Sequence, residues 1–169
     1  GQNVDRGFVP SVEKGINHIC NDGVIAGCKV VDININFYDG KMHPVDSNDM
    51  AFQIAGRHAF MDAVKSARPK LLEPIYSIKV KIPDDVMGDI MGDISSRRGK
   101  VQGMETDGHF QIINAEVPMA NLHDYATALK AMSSGRGMFT NEFSHYEDMP
   151  HIEADKVISK WEAARAAGE

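Results

Sequence analysis

Cysteine and tryptophan are nearly absent: two cysteines and one tryptophan in 169 residues. Cys20 and Cys28 form neither a CxxC knuckle nor half of a larger set, which excludes a disulfide framework and a cysteine-built zinc site. Both are expected as small core residues. Long apolar runs are missing too, and so is a basic-then-apolar leader, so the reading is a soluble, cytoplasmic chain with no membrane partner. Positive charge is in deficit, with 18 Lys and Arg against 24 Asp and Glu and a net charge of −6. That balance excludes a surface drawn as a whole to nucleic acid, because phosphate binding rests on cations. Local basic groups remain at Lys65, Arg68 and Lys70, at Arg97, Arg98 and Lys100, and at Lys130 with Arg136. Each fits a phosphate contact or a helix-end charge opposing the dipole equally well.

Chemistry motifs are lacking as well. GDISSRRGK has glycines and a lysine, but not the GxxxxGK[ST] spacing that cradles a nucleoside triphosphate. No GxSxG elbow and no HExxH pair occurs, and the seven histidines are scattered without ligand-like spacing. The chain is therefore expected to hold no catalytic residue, no metal and no cofactor.

What is present is two units' worth of patterned elements. Pro10 suits the first turn of a helix striped by Val12, Ile16, Ile19 and Cys20, and Gly23 can stop it. Val31, Ile33, Ile35 and Phe37 alternate with Asp32, Asn34 and Asn36, the pattern of a half-buried strand, and Asp39-Gly40 is a hairpin signal. A second helix is expected from about Asp49 to Ala67, started by Asp46 or Ser47 and ended by Arg68-Pro69. LLEP, Leu71 to Pro74, reads as a connection and the boundary between units.

Beyond it, a strand at Tyr76 to Ile82 leads through Pro83-Asp84-Asp85 into a helix carrying Val86, Ile90, Met91 and Ile94 and ending at Gly99. A strand near Val101, an Asp107-Gly108 hairpin and a strand from Phe110 to Val117 follow. Pro118 then opens a helix with Met119, Leu122, Tyr125, Leu129 and Met132 that stops at Gly135. Phe139, Asn141, Phe143 and His145 are expected along one face of a last strand. The order β-α-β-β-α-β is the split βαβ, ferredoxin-like arrangement. Gly88 and Gly92, four apart on one helix, read as a close-packing face, and Phe139 and Phe143 as core residues rather than base-stacking platforms. Ala154, Val157, Ile158, Trp161 and Arg165 outline a terminal amphipathic helix.

One histidine stands out by position. His43 lies between the hairpin signal and the helix start, and Pro44 disfavours helical geometry at it, so its imidazole belongs on an extended, exposed connection. Local physics leaves it either a solvated loop residue or a recognition group.

FVPSVEKGI, HPVDSNDMAFQIAGRHAF, LLEPI, MGDIMGDISSRRGKVQGME, EVPMANLHDYATALKAMSSGRGMF and EFSHYEDMP run colinearly from Phe8 to about Pro150. Together they resemble the C-terminal portion of bacterial elongation factor G, the translational GTPase family that drives tRNA and mRNA through the ribosome. The resemblance implies an α+β chain of two small α/β-sandwich domains. Residues 1–72 would be domain IV, a ribosomal protein S5 domain 2-like unit truncated at its start. Residues 73–149 would be the ferredoxin-like domain V, and 150–169 a C-terminal helix or tail. A fragment is expected, since the GTPase domain, with its GTP and Mg2+, and the glycine-rich loop before FVPSVEKG do not precede Phe8.

The family's tip loop would place His43 beside tRNA and mRNA at the decoding centre, with Pro44, Val45, Asp46 and Ser47 shaping its presentation. Domain V would face the large-subunit GTPase-associated region, where Lys130, Arg97, Arg98 and Arg136 are candidates for rRNA. Lys130 stands where many members carry Arg, and can meet phosphate only as a point charge. Pro44 stands where an acidic residue is usual, which leaves room for a paralogue acting in ribosome recycling with the recycling factor. A reading of another class, a free-standing ferredoxin-like module binding a small molecule, is what topology alone would permit.

Overall fold

The computed structural model describes residues 3–168. The chain divides into two compact units: one holds the residues up to Lys70 together with those from Pro150 onward, and the other is Leu71–Met149. The terminal helix thus groups with the first unit, and the division falls just before Leu71, so that all of LLEP belongs to the second unit.

The first unit is built on two helices, α1 (Val9–Asp22) and α2 (Asp49–Ser66), with α5 (His151–Ala167). Pro10 occupies the first turn of α1, and Gly23, at φ 84°, ends it by donating its N–H to Ile19 O. Ile19, Val24 and Phe60 form the core, flanked by Ile16, Cys20, Ile25, Val30, Met61 and Val64. The helices approach through reciprocal glycines: a Cβ on Gly15 would lie 2.1 Å from Gln53 O, and one on Gly56 would lie 2.9 Å from Val12 O. Phe8 stacks on Phe52 at 4.5 Å, and Ser11 Oγ donates to Asp49 Oδ1 at 2.9 Å. On α5, Arg165 lies over the Trp161 ring, and Trp161 closes over Gly27, where an added Cβ would meet the indole nitrogen. Cys20 packs beside the core, where burial pushes its thiol pKa up, whereas Cys28 is exposed and not the core residue expected.

The expected strand at Val31 to Phe37 does not form. A strand needs a neighbour for its N–H and C=O groups, and among the described residues of this unit there is none. Asp32 takes a left-handed φ of 56°, which interrupts the run, while Gly40 stays outside the left-handed region, so no hairpin closes at Asp39-Gly40. Val31, Ile33, Ile35 and Phe37 are left exposed.

The second unit is one antiparallel sheet under two helices: β1 (Leu72–Pro83), α3 (Met87–Ser96), β2 (Lys100–Asp107), β3 (Phe110–Pro118), α4 (Tyr125–Met132) and β4 (Met138–Asp148). The sheet order β2-β3-β1-β4 is the ferredoxin-like order. Ile78, Val80, Ile82, Ile113, Ala115 and Val117 of the sheet meet Ile90, Ile94, Tyr125 and Leu129 of the helices in one core. Gly108, at φ 63°, turns the β2–β3 hairpin as Asp107-Gly108 predicted.

Several local expectations are corrected here. Leu72, Glu73 and Pro74 are strand rather than connection, paired with Asp148, Glu147 and Tyr146. Pro74 is tolerated because β3 joins β1 only from Ile75 on, leaving Pro74 one neighbour. Nothing approaches the Cβ positions of Gly88 and Gly92, which lie opposite the buried Ile90 and Ile94 and so serve no close packing. Arg98, at φ 62°, rather than Gly99, is the left-handed residue ending α3, and Gly99 N–H returns to Ile94 O at 2.8 Å. The helix expected from Pro118 breaks into a 3-10 turn, Met119–Asn121, before α4. Arg97 accounts for the break, donating to Asn121 O at 2.8 Å and to Asp124 at 2.6 Å while its own carbonyl accepts from Asn121 Nδ2 at 3.0 Å.

Candidate functional site

The loop from Lys41 to Asn48 presents His43. Asn48, rather than Asp46 or Ser47, caps α2, its side chain accepting from Ala51 N–H at 2.9 Å. That releases Ser47 and Asp46 to shape the loop. His43 N–H donates to Ser47 Oγ at 2.8 Å, and Ser47 N–H returns to His43 O at 3.3 Å. The five-residue turn from His43 to Ser47 is thereby closed from both ends.

The imidazole is fixed at one nitrogen. Nδ1 lies 3.0 Å from Asp46 Oδ2 and 3.4 Å from the Val45 N–H, so it donates to the carboxylate or accepts from the amide according to its tautomer. Nε2 has no protein partner among the described residues. The His43 and Asp46 side chains are 66% and 79% exposed, and Val45 is 83% exposed. Beneath them a shallow groove of about 300 Å³ is lined by Lys41, Met42, Ala51, Phe52 and Ala55 with the loop itself. Lys41 and Met42 escaped the sequence reading because nothing in their spacing marks them; only the fold of the loop brings them alongside His43. Asp39, just before them, accepts from the Asn3 amide at 3.0 Å and from Gly40 N–H at 2.8 Å, which holds its carboxyl below the usual range.

The basic candidates of the second unit divide into engaged and free groups. The Arg97 side chain is 13% exposed, spans Asp93 at 2.7 Å and Asp124 at 2.6 Å, and covers the Tyr125 ring at 5.2 Å. Arg98 forms a two-pronged pair with Glu73, whose side chain is 6% exposed. Both guanidinium groups are tied into the fold. Arg136 bonds Ser133 O at 3.1 Å and Asp85 at 2.8 Å, yet stays half exposed. Lys130, exposed in the last turn of α4, has no ion pair among the described residues.

Phe139 packs edge-on against Tyr125 at 4.9 Å, as a core residue. Phe143 is 49% exposed and meets Tyr76 and Tyr146 instead. His145 does not continue their face. Phe143 pairs with Tyr76 and His145 with Ile75, so Ser144 is an extra residue, and the bulge turns His145 to the sheet's other side. There it meets Glu116 and Glu147, a cluster that sequence spacing hid because Glu116 comes from a different strand.

The likeness to known proteins extends over nearly the whole chain. A crystal structure of a Thermus thermophilus protein superposes with a TM-score of 0.81 at 38% identity, covering 96% of this chain and 25% of that one. Elongation factor G of Aquifex pyrophilus is 44% identical over 164 residues, 97% of this chain and 24% of its own length. The chain thus spans about a quarter of the relative it matches. The model of elongation factor G domain IV matches residues 1–68 and that of the elongation factor G C-terminus matches residues 70–157, so the chain belongs to the elongation factor G family.

Proposed function

We propose that this chain is the ribosome-binding C-terminal part of a translation factor that promotes GTP-dependent movement of tRNA and mRNA, and that the His43 loop is its contact at the decoding centre. The observation that carries the reading is the one-sided fixing of His43. Asp46, Val45 and Ser47 hold Nδ1 and the backbone, while Nε2 faces no protein partner among the described residues and the ring is largely exposed.

An imidazole so held can donate to or accept from a ribose hydroxyl without transferring a proton in any chemical step. Val45 adds an exposed apolar contact beside it. In the second unit, Lys130 is the cation best placed to meet rRNA phosphate, followed by the half-exposed Arg136. Arg97 and Arg98 support the fold beneath them. Hydrolysis of GTP, with Mg2+, falls to other parts of the whole protein, which would work in the cytoplasm where ribosomes are.

The test is His43→Ala in the whole protein. One polar contact is worth about 1 kcal/mol, so translocation measured by rapid mixing slows roughly fivefold while ribosome-stimulated GTP hydrolysis is unchanged. If both fell in parallel, or if translocation, GTP hydrolysis and ribosome splitting were all unchanged, the tip role would be wrong. A second reading rests on Pro44, which replaces the acidic residue usual after the tip histidine: a paralogue that splits ribosomes with the recycling factor. In that case His43→Ala slows splitting of post-termination ribosomes and leaves translocation unaffected.

A further inference from the structure

The open face of the ferredoxin-like sheet carries three metal-ligating side chains at one point, and the tip function does not use them. Glu116 comes from β3, and His145 and Glu147 come from β4, with β1 running between. One ligand atom from each lies within 4.8 Å of the other two. We propose that Glu116, His145 and Glu147 bind a divalent transition-metal ion of the zinc class, which braces β3 to β4 across β1.

The backbone builds this site in two steps. The Ser144 bulge moves His145 off the helix-covered face and onto the face that carries Glu116. The next position on that face is Glu147, two residues along, so β4 presents an imidazole and a carboxylate side by side. Glu116 pairs with Ser77 of β1, and His145 pairs with Ile75 of the same strand, which fixes the span between them.

The side chains are also oriented. Ser144 Oγ is 2.8 Å from His145 Nδ1, and His145 Nε2 is 3.0 Å from Glu147 Oε1. A hydroxyl can donate or accept, so Nδ1 can take up the ring proton and donate it to Ser144. Nε2 then turns a lone pair toward the ion, with no net release of protons from the neutral ring. Zinc bonds to nitrogen and oxygen are about 2.0–2.2 Å, which places tetrahedral ligands roughly 3.3 Å apart. Rotation of the two partly exposed glutamates covers the difference. One imidazole with two carboxylates and an open fourth position for water suits zinc, cobalt or nickel rather than magnesium or calcium.

Two neighbouring side chains bond the cluster's carboxylates, while Glu73, opposite Glu147 in the ladder, is held by Arg98. Gln102 Nε2 donates to Glu116 Oε2 at 2.9 Å, and Lys100 Nζ lies 3.3 Å from Glu147 Oε2. The Lys100 ammonium opposes a cation but leaves the three-residue cluster with one net negative charge after pairing. It is 66% exposed and free to swing away. Its removal should therefore tighten binding, an effect that a purely structural ion-pair cluster has no reason to show.

The test is calorimetric titration of the 169-residue chain with zinc, and with cobalt to read the absorption of a tetrahedral site. One equivalent is expected to bind with Kd below about 100 μM, undisturbed by millimolar magnesium. His145→Ala and Glu116→Gln should weaken it about 10- to 100-fold, and Lys100→Gln should strengthen it severalfold. Glu116→Gln keeps the shape of the side chain, so it decides the matter if His145→Ala fails to fold. Absence of saturable binding would overturn the proposal. So would an affinity unchanged in both variants, which would put the ion on other histidines such as His43 or His109.

Discussion

Replacing Gly15 with alanine probes the platform that carries the His43 loop. The new Cβ would lie 2.1 Å from Gln53 O, 2.7 Å from its carbonyl carbon and 2.8 Å from its Cα. All three are backbone atoms of α2, so no side chain can turn aside, and the helices must part by about 1 Å to restore contact distance. Overpacking costs about 1–3 kcal/mol, here near the upper end, against a helix-propensity gain of up to about 1 kcal/mol for alanine over glycine. A net loss of about 2 kcal/mol lowers the midpoint of a unit this size by roughly 10 °C. Trp161, the sole tryptophan, lies over Gly27 within the same unit, so its fluorescence reports that unit's unfolding. Gly88→Ala and Gly92→Ala are the matched controls: nothing lies near either Cβ, so each should stabilise the second unit by up to about 1 kcal/mol. If Gly15→Ala melted with the parent, or Gly88→Ala lost as much as Gly15→Ala, the close-approach reasoning would be refuted.

Arg97→Ala should cost the second unit about 1.5–3 kcal/mol, because it removes charge-assisted hydrogen bonds to the partly exposed Asp93 and Asp124 and unties the turn before α4; urea unfolding followed by circular dichroism measures it, and Arg97→Lys should recover only part. Tyr125→Phe should be neutral or stabilising by up to about 1 kcal/mol in the same assay, since the Tyr125 hydroxyl is fully buried with no hydrogen-bond partner among the described residues and burial pushes its pKa far up. Acid should loosen the second unit from about pH 4 downward. Hydrogen bonds from Arg97, Arg136 and Lys81 hold Asp124, Asp85 and Asp107 below the ordinary carboxylate range. Their folded pKa values lie under the unfolded ones, so their stabilisation is present above the unfolded value and is lost as pH falls through the folded one. Arg136→Gln should flatten that loss in an acid titration by removing the share of Asp85.

Helices were the legible part of this chain because their signals are local. Pro10 and Gly23 bracket α1, and the stripe of Val12, Ile16 and Ile19 is the face that packs. Even there the sequence could not choose among adjacent capping residues. Asp46, Ser47 and Asn48 all have the chemistry to cap α2, and the loop spends the first two on His43, leaving Asn48. The break between Pro118 and Tyr125 was invisible for a related reason. Its cause, Arg97, acts from the end of another helix, and no pattern within Met119 to Asp124 announces it.

Strand faces were less legible, because a strand's meaning depends on what lies beside it. Val31 to Phe37 alternates cleanly, yet within its unit no neighbour is present among the described residues to take its backbone groups, and the alternation ends as exposed apolar side chains. The last strand shows the converse. Parity counted from Phe139 puts His145 with the aromatics, and the count is right until one extra residue, Ser144, enters the ladder. Because the side-chain period is two, that single insertion transfers everything after it to the opposite face. His145 and Glu147 thereby join Glu116, and Tyr146 returns to Phe143. A bulge carries no composition signal of its own here, since serine is common in strands and loops alike. His43 stands out in the sequence by its place between a turn signal and a helix start, even though the hairpin does not close and Asn48 takes the cap, whereas the Glu116–His145–Glu147 cluster becomes visible only once β3, β1 and β4 are laid side by side in register.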